Sequence, residues 1–220
     1  MDSAPGLRER KKQRTRDHIV AAAFRLFAER GYAETTLADI AAAADIAPRT
    51  FFAYFPSKEA LLFCDAERDL RSLQEALDAR PEGATAIART REWIAGRLEH
   101  WASDPDAEVR KRLVREVEAL AAQERYVMGR FEAVLRRGVA RDLGEQPEAL
   151  RPTLVAAAAI AALGSLEEIH GAEHTDGIEP ATAEQQLAVL DEALVFLEGG
   201  IAALQGHEAP EGLAAATDGR

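Results

Sequence analysis

Residues 35–62 read TTLADIAAAADIAPRTFFAYFPSKEALL, and their punctuation decides the fold. Thr36 is placed to cap a short helix in which Leu37, Ile40, Ala41 and Ala44 recur at helical spacing. Asp39, three residues after the cap, closes a capping box. That helix is expected to end near Asp45. Pro48 suits the first turn of a second helix, because the N–H it lacks would be unpaired there anyway and its ring holds φ at a helical value. This second helix is expected over residues 48–55, where Pro56 stops it, and Ser57 is the candidate N-cap of a third, longer helix. Two short helices joined by a tight turn form a helix-turn-helix. The arrangement would lay Pro48 to Tyr54 in the major groove of DNA.

Working outward, the segment before this stretch predicts a helix that starts among basic residues and runs to Arg30. Ile19, Ala22, Ala23, Leu26 and Phe27 share its apolar face, and Gly31 is a left-handed stop. Phe24, Phe27, Leu37, Ile40, Ile46, Phe51 and Phe55 are the expected core of a small three-helix domain. From Ile19 to Leu62 the sequence resembles the amino-terminal domain of the tetracycline-repressor (TetR) family of transcription regulators. The resemblance is carried by AAAFRLFAERGY, TTLADIAAAADIA and PRTFFAYFPSKEALL. It implies phosphate contacts at Thr36, Tyr54 and Lys58, and a groove-facing set of Pro48, Arg49, Thr50, Phe52 and Ala53. Thr36 and Lys58 also sit at expected helix starts, where backbone N–H groups and the helix dipole favour a phosphate. Two positions depart from the common family pattern. Arg49 stands where a small residue is frequent, and Ala47 where a serine or threonine is. The planar fork of Arg49 can grip both acceptors of a guanine, so whether it reads a base or clamps a phosphate stays open.

Composition sets the frame for this reading. The chain has 220 residues, 47% of them hydrophobic, and no sustained β-type alternation; an all-α fold of about nine helices is expected. Its net charge is −11, with 27 Lys+Arg against 38 Asp+Glu. Residues 1–63 hold 10 Lys+Arg and 8 Asp+Glu, a balance of +2, which leaves 17 against 30, or −13, for the rest. Arg8, Arg10, Lys11, Lys12, Arg14 and Arg16 cluster against the single Glu9, an electrostatic footprint for phosphates beside an acidic body. One cysteine, Cys64, excludes an internal disulfide and fits a reducing compartment. No apolar run reaches membrane-spanning length and no signal core is seen, so a cytoplasmic protein with no membrane partner is expected.

The domain organisation expected is a basic arm with a helix-turn-helix over 1–56, a larger helical effector-binding and dimerisation domain over 57–205, and a disordered tail over 206–220. The helix from Ser57 is expected to continue unbroken to Arg80. Further helices are expected near 84–102, after Pro105, from Glu124, over 151–170 and from Thr182, where Thr182 and Gln185 offer a second capping box. Trp93, Arg97, Trp101, Leu113, Glu116, Leu120, Tyr126, Phe131 and Leu163 lie on helices that surround an effector in the family, and form the candidate pocket for a small apolar molecule. Leu187, Leu190, Leu194, Leu197 and Ile201 recur in alternating steps of three and four. With Leu163 and Leu166 of the alanine-rich preceding helix they are the candidate homodimer interface.

Enzyme chemistry finds no foothold. There is no nucleophile elbow and no glycine-rich phosphate loop after a strand. Only His170 and His174 have helical metal-ligand spacing, beside solvent-facing glutamates, so no metal and no cofactor is expected. The function this implies is a dimeric, ligand-released repressor of a pseudo-palindromic DNA operator. Two alternatives remain open: a helical DNA-binding protein without a small-molecule effector, and a ligand-binding protein that has lost operator binding.

Overall fold

The computed structural model describes residues 6–173 and 183–205. The elements are α1 (Leu7–Arg30), α2 (Leu37–Ala43), α3 (Pro48–Phe51), a 3-10 turn (Glu59–Leu61), α4 (Ala66–Asp78), α5 (Ala86–Ala102), α6 (Ala107–Glu116), α7 (Glu118–Leu143), α8 (Leu150–Glu173) and α9 (Ala183–Gln205). No strand occurs among the described residues. The expected disordered tail and the Thr182–Gln185 capping box fall outside them.

Two compact units form, one from residues Met1–Glu67 and Ser103–Val127, the other from Arg68–Ala102 and Met128–Arg220. This differs from a linear division at residue 56. α6 and the beginning of α7 join the first unit because Leu113, Val114 and Leu120 pack in one core with Ile19, Phe24, Phe27, Ile40, Phe51 and Phe55. All six of those early residues are almost wholly buried, whereas Leu37 and Ile46 are only partly so. The second unit is built on Leu73, Leu77, Ile87, Ile94, Val134, Leu135, Val139, Val155 and Ala156, with α9 packed on α5 and α8.

The local signals of the helix-turn-helix are realised in detail. Thr36 Oγ1 accepts from the Asp39 N–H at 3.1 Å while Asp39 Oδ2 accepts from the Thr36 N–H at 2.9 Å, which completes the capping box. At the other end, the Ile46 N–H donates to the Ala41 carbonyl and the Asp45 N–H to that of Ala42, both backbone bonds of a Schellman stop. Asp45 occupies the left-handed position at φ 52°, a conformation Asp tolerates better than most side chains. Ala47 caps α3 without a side-chain bond. Gly31 has positive φ as expected, but at φ 84° and ψ 161° it turns the chain outside the left-handed helical region; with no Cβ it does so unstrained.

Three boundaries differ from those expected. α3 ends at Phe51, and Ala53 and Tyr54 instead donate to carbonyls three residues back, a tighter coil that carries the chain to Pro56. The long helix from Ser57 is broken. Ser57 does accept the Ala60 N–H, but only a 3-10 turn follows, and turns at 62–65 precede α4. Two arginines remote in sequence sit at this break. Arg110 Nε donates to the Leu62 carbonyl at 2.8 Å and Arg16 donates to that of Cys64, so carbonyls that would otherwise continue a helix have side-chain partners. Finally, α7 starts at Glu118 rather than near Glu124. Val117, extended at φ −119° and ψ 105°, separates it from α6, and its carbonyl accepts the first bonds of α7 from Leu120 and Ala121.

In the second unit Gly138 marks a close helix crossing. A Cβ there would lie 2.9 Å from that of Ala86 and 3.4 Å from the Leu77 side chain. Next to it Asp142 Oδ2 accepts the Ala86 N–H at 2.7 Å while Arg80 pairs with Asp142 at 2.5 Å, which anchors the loop between α4 and α5.

Candidate nucleic-acid interface and effector site

In α3 and the coil after it, spacing separates a buried side from an outward side. Phe51 and Phe55, four apart, are sealed in the core, and their rings lie 5.7 Å from each other. Pro48, Arg49, Phe52 and Ala53 are exposed, and Thr50 and Tyr54 lie half-buried at the edge. Phe52 alone among the aromatics of this stretch is left largely in solvent, 57% exposed. Of the five residues expected from the sequence to face the groove, Pro48, Arg49, Phe52 and Ala53 are thus exposed and Thr50 is half-buried, and Arg49 has room to extend its guanidinium.

Thr36 and Lys58 have structural duties that the sequence reading did not foresee. The Thr36 hydroxyl donates to Asp39 Oδ2 at 2.5 Å as well as accepting in the box. These bonds from the Thr36 hydroxyl and backbone hold the Asp39 carboxyl below the usual range. Lys58 does not begin an α-helix, so the helix-dipole reason for a phosphate there is lost. Its Nζ donates to the carbonyls of Tyr32 at 2.7 Å and Thr35 at 3.0 Å and lies 3.9 Å from the centre of the Tyr32 ring. Burial draws this ammonium below the ordinary lysine range, against the opposing pull of Glu59. The Tyr32 hydroxyl donates to Glu59 at 2.9 Å, and burial, then that bond, pushes the phenol well above its usual value. Thr35, fully buried, donates to the Gly31 carbonyl at 2.8 Å. Lys58, Tyr32 and Glu59 thus form a latch that ties the α1–α2 loop to the segment after α3. Two of the three Lys58 N–H groups are committed to it.

Arg8, Arg10, Lys11, Lys12 and Arg14 lie exposed along the first turns of α1. Arg16 is set apart from that cluster, since besides its bond at Cys64 it stacks 4.6 Å from the Phe55 ring centre. Burial pushes the Cys64 thiol up to about 11, which leaves it a weak nucleophile at neutral pH.

The nine candidate pocket residues divide between the units. Leu113 and Leu120 belong to the core of the first, Tyr126 is exposed, and Leu113 and Glu116 line an open groove of about 500 Å³ beside Phe27 and Tyr32. Trp93, Arg97, Trp101, Phe131 and Leu163 lie in the second unit. There Trp93 meets Trp101 edge-on at 5.6 Å and Phe131 at 6.2 Å, and its indole N–H donates to Ser72 Oγ at 3.0 Å. The Arg97 guanidinium lies 5.7 Å and 5.9 Å from the centres of the two indoles and pairs with Asp69. The sequence reading missed Asp69 and Ser72. The available signal was a carboxylate set against Leu70, Leu73 and Leu77 on the buried side of an amphipathic helix, where an unpaired charge is costly.

Of the candidate interface residues, Leu194, Leu197 and Ile201 are buried inside the second unit's own core, and Leu163 packs against it. This corrects the assignment of Leu194, Leu197 and Ile201 as a surface for a second copy, because side chains already sealed in their own chain's core have nothing left to dock. The outward side of α9 instead carries Val195 and Phe196, 69% and 78% exposed. The side chains of Leu166, Leu187 and Leu190, and the His170–His174 pair, lie outside the described residues. Among the described residues no cluster of potential metal ligands occurs, and no helix is long and apolar enough to cross a membrane.

A helical unit that turns a short, sealed-backed helix outward after a capped helix and a Schellman turn defines the class of helix-turn-helix proteins. Residues 19–63 match the family model described as bacterial regulatory proteins, tetR family, so this segment is similar to the helix-turn-helix of TetR-family regulators. The HTH-type transcriptional regulator TcmR of Streptomyces glaucescens is 42% identical over 85 residues, which cover 39% of this chain and 38% of that protein. The chain thus matches well under half the length of this relative. Among solved structures, SmeT, the repressor of the Stenotrophomonas maltophilia multidrug efflux pump SmeDEF, is 25% identical with a TM-score of 0.54, over 84% of this chain and 91% of that one. A SmeT–triclosan complex gives 0.61 at 20% identity, over 83% and 90%. The similarity to the solved chains thus extends the shared fold through both units.

Proposed function

We propose that the protein is a transcriptional repressor that binds a pseudo-palindromic operator as a homodimer and is released by a small effector that is mainly apolar. The outward face of Pro48, Arg49, Phe52 and Ala53, fixed from behind by Phe51 and Phe55, carries this reading. It offers one cationic fork and a short apolar surface, with the exposed basic turns of α1 to hold phosphates. Two such faces in a dimer would meet half-sites about 34–36 Å apart or slightly more.

The second copy is met through the outward sides of α8 and α9. Leu154, Ala157, Ala158 and Ala161 recur in steps of three and four on α8 and are all exposed, as are Val195 and Phe196 on α9. Small residues on one helix let another approach closely, and the large apolar ones seal the contact. The effector binds at Trp93, Trp101, Phe131 and Arg97 in the second unit. Its binding favours a conformer whose half-site spacing no longer fits, which requires unequal ligand affinity for the two states.

Binding of the purified protein to its own upstream DNA over a salt series tests the reading. Selective binding with a steep salt slope is expected, and Arg49→Ala should relax selectivity or lower the slope by about one phosphate's worth, according to whether it reads a base or clamps a phosphate. Unselective binding by the wild type, with Arg49→Ala indistinguishable from it, would refute the role of α3. Phe196→Glu should convert the dimer to a monomer in sedimentation while helicity is retained; a persisting dimer would refute the interface.

A further inference from the structure

We propose that the effector is a planar aromatic molecule bearing one oxyanion, a carboxylate or a phenolate, and that Arg97 grips that group. The inference deepens the ligand-released reading above and rests on it. Both tryptophans of the chain stand at this one place. They differ in how they are held: Trp93 is pinned through its N–H to Ser72, whereas Trp101 is 38% exposed and meets Trp93 only by an edge. A flat ring that slides against the Trp93 face displaces an edge contact and gains a stacked one, beside the Phe131 ring that also packs on Trp93.

Arg97 selects the charge. Its Nε and Nη2 groups are buried and aligned on no acceptor, and the Asp69 oxygen that faces Nη2 as an ion pair is likewise aligned on no donor. Contact without alignment leaves the fork's directional bonds unmade, and an oxyanion with two in-plane lone pairs is the group that completes them. Asp69 would not be stranded by the exchange, because Arg68 Nε already lies 3.5 Å from the same oxygen. An anionic ligand pairs with the Arg97 guanidinium, whereas a cationic ligand would compete with it for the aromatic faces Arg97 already occupies. The exchange of Arg97 from Asp69 to the ligand supplies the differential contact between the empty and filled states that a population shift needs.

Calorimetric titration of the full-length protein with 2-naphthoate, with the neutral 2-naphthalenemethanol and with the non-aromatic cyclohexanecarboxylate tests each element separately. Naphthoate is expected to bind at least about tenfold tighter than either analogue. Arg97→Gln should erase the preference for naphthoate over the alcohol while leaving alcohol binding in place. Should that variant fold poorly, Arg97→Lys is expected to weaken the preference and Trp101→Ala, at an exposed position, to weaken naphthoate and alcohol alike. Equal binding of naphthoate and alcohol by the wild type, or a preference that survives in both Arg97 variants, overturns the proposal. The same compounds are then added to the protein–operator complex. Release by neutral or cationic aromatics with naphthoate inert also overturns the oxyanion assignment while the repressor reading stands. Failure of the protein to bind any operator strikes that reading alone, since naphthoate binding is measured without DNA.

Discussion

Removal of the Lys58 ammonium separates a latch from a phosphate contact. In Lys58→Met the apolar stem still covers Tyr32, but two charge-assisted bonds to the Tyr32 and Thr35 carbonyls disappear together with the cation above the ring. Such bonds contribute about 1.5–3 kcal/mol each where water is excluded. Lys58 is only half-buried, its desolvation is relieved by the change, and the Tyr32 carbonyl keeps its bond from the Thr35 N–H at 3.3 Å. A net loss of about 1–2 kcal/mol follows. For a unit of this size that lowers Tm by roughly 5–15 °C. Thermal unfolding followed by circular dichroism, paired with operator binding over a salt series, reads both consequences. A latch predicts the fall in Tm with the slope of log K against log salt unchanged. A phosphate contact alone predicts an unchanged Tm and a slope reduced by about 0.9. A Tm within about 2 °C of wild type would refute the latch; a fall in both would mean that the third N–H reaches a phosphate.

Further outcomes follow from the same unit and its neighbour. Thr36→Ala removes the hydroxyl of the capping box and should cost about 1 kcal/mol in denaturant unfolding. Asp39 and Glu59 are both held below the ordinary carboxylate range, Asp39 by its bonds from Thr36, and Glu59 because hydrogen bonds and Lys58 outweigh the upward push of burial. Their contribution is therefore fully present above the unfolded carboxylate value of about 4 and is lost as pH falls through the lowered folded values; an acid titration of Tm that stays flat below about pH 4 would contradict this. Asp45→Gly relieves the left-handed backbone at φ 52° and should stabilise the first unit by about 0.5–1 kcal/mol in urea melts, with no gain if the turn is unstrained. Gly138→Val forces a side chain against Ala86 and Leu77 and should destabilise by about 1–3 kcal/mol; a neutral result would mean that the helices separate without cost.

The legible part of the fold is the part made of short-range signals. Thr36 with Asp39, Pro48 and the Phe51–Phe55 pair act over four residues or fewer, and each does in the structure what its spacing implied, whereas the helix expected to run to Pro56 ends at Phe51. The exposure of Pro48, Arg49, Phe52 and Ala53 was legible for the same reason, since a helix whose buried side is known has its exposed side decided. The candidate pocket was legible only as a set of helices. Asp69 and Ser72 join Trp93 and Arg97 across a separation of more than twenty residues, which no local pattern records.

By itself the sequence determined the all-helical class, the helix-turn-helix, its caps and the face it presents, because those depend on backbone geometry repeated every three or four residues. Tertiary structure decided the rest. It broke the helix after Ser57, where Arg16 and Arg110 take the carbonyls of Cys64 and Leu62 from 48 residues away. It brought α6 into the core of the first unit, gave Lys58 to the Tyr32 and Thr35 carbonyls, and turned Leu194, Leu197 and Ile201 inward so that Val195 and Phe196 face out. An amphipathic stripe records that one side of a helix will be buried. Which neighbour buries it, and which backbone carbonyl an arginine or lysine reaches, is fixed only when distant segments of the chain meet.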